Sequence, residues 1–369
     1  MTRRPPHSAL NNRMPLAPRR ATVGDRLLGV VAALLRLVAS LVILLATAWG
    51  ALALWFQLEQ PLSLGLGGAW CLVGIACALA PWRSQQSPWV PVAGALAALT
   101  LAVWWQSLQP SHERRWAPDV ARMLEAEIDG DRVVLRNVRN FAWRSETDFT
   151  PRWETREYDL ARLASADLIL SYWMGPDIAH TLISFDFDDG QRLVFSLEIR
   201  KEHDESFSAL GGFFRRFEQV IVAADERDIV RTRSNARGEQ VYLYRLRASR
   251  DQLREVFLDY LDRAEALRQQ PAFYNTLTSN CTTILFELAR KIDPGLPLDW
   301  RLLASGHFAE YAYDHGALTP GFTYDQLQQR GFINERALRT DRDGSDYSAA
   351  IREGIPAMPA APARAAARD

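Results

Sequence analysis

An α+β chain is what this sequence predicts, with three transmembrane helices ahead of an extracytoplasmic domain. Three observations carry that expectation. An almost uncharged block, residues 27–110, holds three long apolar runs. Behind it, two segments of alternating polarity flank Asp188-Asp189-Gly190, the pattern of a hairpin. Two stretches with helical spacing, 251–269 and 281–291, follow.

The apolar runs cover 37–56, 64–82 and 89–106. Each is close to the ~20 helical residues that cross a hydrocarbon core of ~30 Å. Trp55, Trp82, Trp89, Trp104 and Trp105 fall at run ends, where interfacial aromatic residues belong. A secretory signal peptide would account for the first run but not for two more directly behind it. Segment 27–36, broken by Arg36, either lies at the interface or extends the first helix while Arg36 snorkels.

Arginine placement sets the orientation. The first 26 residues carry six arginines against the single acid Asp25, so this basic tail belongs to the cytoplasm. Loop 57–63 has only Glu59 and suits the outside; loop 83–88 carries Arg83 and suits the inside. Residues from about 108 onward are then delivered outside, which in a bacterium is the periplasm, and the chain reads as a multi-pass protein of the inner membrane. The net charge of −1 argues for no class of partner, and no nucleic-acid signature or internal repeat is present.

In the exported part, 120–128 reads as helical. Strand regions are expected at 131–144, 166–174, 214–233 and 239–246. The hairpin 179–200 is the clearest element. Counting by twos, Thr181, Ile183, Phe185, Phe187, Leu193, Phe195, Leu197 and Ile199 share a core face. The opposite face, read as polar, holds His180, Ser184, Asp186, Arg192, Ser196, Glu198 and Arg200. With a three-residue loop, 187 faces 191 and His180 faces Glu198; a slip of one residue would break the core face. The helix 251–269 ends at Pro271, and a second helix starts beside Cys281. Residues 301–345 read as a partly helical C-terminal extension, and 346–369 as a disordered tail, Ala/Pro/Arg-rich from Ile355 on.

Cys71 and Cys77 lie inside the second apolar run and read as small apolar residues. Cys281 is different: it faces an oxidising compartment without a partner thiol. A lone buried cysteine is most often a small hydrophobe. Here, however, Thr278, Ser279 or Asn280 can cap the helix that Cys281 opens, and a thiol on a first helical turn is favoured as thiolate. A cysteine nucleophile needs a base, and His180 has Glu198 opposite it on the neighbouring strand. His203, His307 and His315 are rival bases without such an acid opposite. No tight Cys/His cluster calls for a metal, and no cofactor is expected. Arg200, Arg215, Arg216 and Arg227 are candidates to receive phosphate or carboxylate groups, or to serve as ordinary surface ion pairs. Asn275 and Asn280 beside the cysteine complete the candidate substrate-binding set with Arg200 and Arg227.

The strings "IAHTLISFDF", "SLEIRKE", "ADERD", "VYLY" and "FYNTLTSNCTT" resemble the Lnb N-terminal periplasmic domain family. The likeness spans roughly residues 117–315. That family includes a lipoprotein N-acyltransferase, and the His-before-Cys order is similar to permuted papain-like enzymes that move acyl chains through a thioester. The resemblance implies a periplasmic thiol acyltransferase domain over 108–300 behind a membrane domain at 27–107. It implies Cys281 as nucleophile, His180 as base and Glu198 as the group that orients the histidine. The implied donor is a membrane phospholipid and the implied acceptor a diacylated lipoprotein amine. Two other readings stay open: a periplasmic cysteine amidase or peptidase acting on cell-wall peptide, and a non-enzymatic membrane assembly factor.

Overall fold

The structure is a computed structural model that describes residues 22–83 and 87–358. Most of the basic tail, part of the second loop, and the last residues of the Ala/Pro/Arg-rich end therefore lie outside the described residues. The chain divides into two compact units, Met1–Ser107 and Leu108–Asp369.

The first unit has three helices, α1 (Val23–Gln57), α2 (Leu62–Leu79) and α3 (Trp89–Ser107), each long and apolar enough to cross a membrane. Segment 27–36 extends the first helix rather than forming a separate piece. α1 and α2 approach closely because small residues line their seam. A Cβ on Gly74 would lie 2.0 Å from Thr47 Oγ1, so only glycine fits. Polar groups cross the same seam: Ser40 Oγ donates to Ala78 O at 2.7 Å, and Trp70 Nε1 donates to Thr47 O at 2.8 Å. Without water to drive association, such close packing and hydrogen bonding is what holds apolar helices together.

The second unit is built on one sheet. Its strands are β1 (Glu125–Asp129), β2 (Arg132–Arg139), β3 (Ala142–Trp143), β4 (Phe149–Thr150), β5 (Trp153–Asp159), β6 (Leu163–Tyr172), β7 (Ala179–Phe187), β8 (Arg192–Arg200), β9 (Glu218–Ala224) and, after helix α4 (Glu226–Arg231), β10 (Gln240–Arg245). The sheet order is β1-β2-β9-β8-β7-β6-β10, with β5 also on β2 and the β3–β4 pair apart. Helices α5 (Arg250–Gln269), α6 (Cys281–Ile292), α7 (Phe308–Asp314), α8 (Tyr324–Gly331), α9 (Asn334–Asp343) and α10 (Tyr347–Ala350) follow.

The hairpin register is the expected one. Ile183 faces Phe195, Asp186 faces Arg192, and Phe187 N–H donates to Gln191 O at 3.0 Å. Ile183, Phe185, Phe187, Leu193, Phe195 and Leu197 enter a core beneath α5 and α6. Phe257 of α5 sits among Phe185, Phe187 and Phe195, and Tyr260 stacks on Phe195 at 5.0 Å.

Several expectations need correction. The face read as polar is not solvated: Leu182 and Val194 join a second core under α4, α9 and α10, and Ser184 and Ser196 are fully buried. Its polar groups are tolerated because they have partners. Residues 120–128 are not a helix. After a turn at Pro118–Val120 they form β1, where Glu125, Glu127 and Asp129 alternate with Ala126 and Ile128 along a sheet edge. The strand at 214–233 stops at Ala224, because Asp225 caps α4 by accepting from Arg227 N at 2.9 Å. A π-helical turn, Thr232–Ala236, follows. The tail does not begin at 346. Tyr347 and Ile351 are buried, and Arg352 joins a buried ion network with Glu226 and Asp167.

Candidate active site

The site forms where two strands part. β7 stays paired with β6 as far as Ala179, and β8 stays paired with β9 as far as Arg200. The ladder between β7 and β8 runs only from Asp186 to Ile183 on the β7 side. Below Ile183 the hairpin is a fork, and the start of α6 packs against both prongs. Thr282 Oγ1 lies 3.0 Å from Thr181 Oγ1. The Thr181 backbone N–H donates to the Cys281 sulfur.

Asn280 fixes where α6 begins. Its Oδ1 accepts from Thr282 N and Thr283 N, both at 2.9 Å, and Thr283 Oγ1 accepts from Asn280 N at 2.8 Å. This reciprocal cap makes Cys281 the first helical residue. The cysteine is 6 % exposed at the wall of a cavity of about 410 Å³.

His180 meets Cys281 across the fork. Its Nε2 is 2.7 Å from Ser196 Oγ and 3.1 Å from Glu198 Oε1, which leaves Nδ1 for the thiol. Glu198 Oε1 also accepts from Ser196 Oγ at 2.8 Å and from Arg233 Nη2 at 2.8 Å. Arg233, on the π-helical turn, is held by Ile229 O at 2.8 Å.

These contacts set the charges. Burial alone would raise the Glu198 carboxyl, but His180 and Arg233 outweigh it and hold it well below the usual carboxylate range. Burial alone would lower the imidazole; Glu198 first, then Cys281, push it up to about 9. Burial alone would raise the thiol; the imidazolium charge, its hydrogen bond and the Thr181 N–H lower it instead. The arrangement shifts the pair toward thiolate and imidazolium, the reactive form of a cysteine nucleophile.

Residues 149–306 match the family model of the Lnb N-terminal periplasmic domain. The matched segment contains His180, Ser196, Glu198, Arg233 and Cys281 and omits the three apolar helices. This segment is thus similar to the Lnb N-terminal periplasmic domain, and it lies behind three helices long and apolar enough to cross a membrane. No curated protein and no solved structure matches the chain.

The structure thus brings Cys281, His180 and Glu198 together, and adds Ser196, Arg233 and the Thr181 N–H. The candidate substrate groups fare differently. Arg200 is buried under Trp116, 4.3 Å from its ring, and donates to Val120 O and Ala121 O; it is a packing residue because the sheet face carrying it is covered. Arg227 pairs with Asp225 at the exposed start of α4, away from the cavity. Asn275 Oδ1 accepts from Leu277 N and Thr278 N and shapes the turn before the cysteine. Asn280 lines the cavity, but its side chain is spent on the helix cap and on Thr276 O. His203, His307 and His315 do not line the cavity; Asp204, Asp177 and Tyr311 O are their partners. Among the described residues no three His, Cys, Asp or Glu side chains gather as a metal-binding group.

Proposed function

We propose that this protein is a lipoprotein N-acyltransferase of the bacterial inner membrane, with a permuted papain-like core facing the periplasm. The observation that carries the reading is Cys281 at a helix start beside His180 and Glu198, on a cavity whose lining includes Trp173, Met174, Phe207 and Leu303, inside the Lnb-matched segment.

The proposed cycle has two halves. The Cys281 thiolate attacks the carbonyl carbon of a phospholipid fatty-acyl ester. As the tetrahedral intermediate collapses, the ester C–O bond breaks and His180 gives its proton to the departing alkoxide, so a lysophospholipid leaves and an acyl thioester remains. The neutral α-amine of a diacylglyceryl-cysteine then attacks the thioester. His180, now neutral, takes the amine proton, the C–S bond breaks, and the thiolate–imidazolium pair returns with an amide as product. Glu198 holds the imidazole and stabilises its charged form, and Ser196 and Arg233 hold Glu198 in place.

The oxyanion needs donors. Asn280 already occupies the Thr282 and Thr283 amides, which leaves the Cys281 amide at the helix start. Tyr274 lines the same cavity; burial, with the negative sulfur and Glu198, pushes its phenol up, so it stays a neutral O–H donor. A peptidase using the same pair would better fit a polar cleft than a mouth bordered by Trp173, Met174, Phe207 and Leu303. Mass spectrometry of lipoprotein N-termini from cells with and without this protein tests the reading. N-acylated termini should require the protein; identical N-termini in both would overturn it.

A further inference from the structure

Four of the loops that line the cavity expose large apolar side chains, while Glu146, Arg237 and Glu239 line it from other segments. The loop between β6 and β7 presents Trp173 and Met174, and Trp173 stacks edge-on against Phe207 at 5.9 Å. The loop after β8 adds Phe207, Leu210 and Phe213. The turn before Cys281 adds Leu277, and the loop after α6 adds Leu298, Trp300 and Leu303. The loops are tied to one another: Thr276 Oγ1 donates to Ala209 O, Gly306 N–H to Asp177 O, and His307 lies 2.9 Å from Asp177. Elsewhere in this unit the described residues expose only Ile128 and Leu338 among side chains of this kind. Trp173, Met174, Phe207 and Leu303 line the cavity itself and the others stand on the same loops; scattered exposed apolar residues need no explanation, but a cluster on the loops around one cavity marks an interaction surface.

We propose that this rim docks into the bilayer that holds the chain's own helices, so that the Cys281 cavity opens directly into lipid. Two observations choose lipid over another occupant. Ser107 ends α3, and Ser111 N–H already bonds Glu218 within the second unit at 3.1 Å, so the tether spans roughly 14 Å at full extension. The unit cannot leave the neighbourhood of the membrane. The rim is also of the right composition, since tryptophan and phenylalanine with leucine are the residues that seat at the headgroup–acyl boundary. Docking rests on the membrane setting and not on the acyl-transfer chemistry.

The test uses the full chain in phospholipid nanodiscs with the photo-crosslinker benzoylphenylalanine placed at Phe207, Leu298 or Trp300, and at Ile128 or Leu338 as controls. After irradiation, phospholipid adducts read by mass spectrometry should be at least tenfold more abundant at the three rim positions than at the two controls. The same yields are expected in a Cys281→Ala background, so failure of the enzymatic reading leaves this result intact. Equal yields at rim and control positions would overturn the proposal. So would rim adducts to protein, either a second copy of this chain or another polypeptide, in place of lipid.

Discussion

Glu198 Oε1 receives His180, Ser196 and Arg233, and this one oxygen sets the protonation of the whole site. Its charge is the largest influence raising the imidazole to about 9. Imidazolium, the proton donor to the leaving group, is present below that value and lost above it, so activity should fall on the alkaline side near pH 9. Glu198→Gln removes the raising charge. The alkaline limb of the pH–rate profile should move to lower pH, with a loss of activity smaller than that of Cys281→Ala. A limb that stays near 9 would show that Glu198 does not govern His180. The His180–Glu198 pairing was legible because a three-residue loop fixes the hairpin register. Arg233 was not: it stands 35 residues beyond Glu198 on a π-helical turn, and its run of β-branched and charged residues reads as a strand.

At the scale of elements, the hairpin fork is the device that admits a helix start between two strands. Alternation predicts which residues face the core, but not where a ladder stops, since that depends on what wedges into it. Thr181 and Thr282 meet there, and the freed Thr181 N–H reaches the sulfur. The loops around the mouth depend on close backbone approach. A Cβ on Gly306 would lie 2.0 Å from Pro176 O, while Gly306 O accepts from Tyr172 and Ser305 Oγ accepts from Ala179 N. Gly306→Ala should therefore push the 173–178 loop away, lowering stability by about 1–3 kcal/mol, as overpacking does. Thermal unfolding and activity should fall together; an unchanged melting temperature would mean the two loops are not locked as described.

For the molecule as a whole, the sheet is buried on both faces, and the second face is sealed by the chain's far end. Arg352 donates to Asp167 at 2.9 Å and to Glu226 at 2.8 Å, and both acids are fully buried. Burial alone would raise the Glu226 carboxyl; Arg352 reverses that. The sequence concealed this role, because Arg352 lies just before the Ala/Pro/Arg-rich run and its partner Glu226 stands 126 residues away. Arg352→Ala leaves the buried Glu226 without its counter-charge, while Asp167 keeps Arg245, and should cost about 3–5 kcal/mol by denaturant unfolding; a cost near zero would contradict the network. In the proposed function Cys281 carries the acyl group, and the most direct test of that is the mass of the protein itself. Purified protein mixed with phospholipid, without acceptor, should gain one fatty-acyl chain on Cys281, and hydroxylamine near neutral pH should remove it. A free-amine diacylated lipopeptide should discharge the adduct, and an N-acetylated one should not. Amine acylation at the wild-type rate by Cys281→Ala protein, with no adduct on the wild type, would contradict the account.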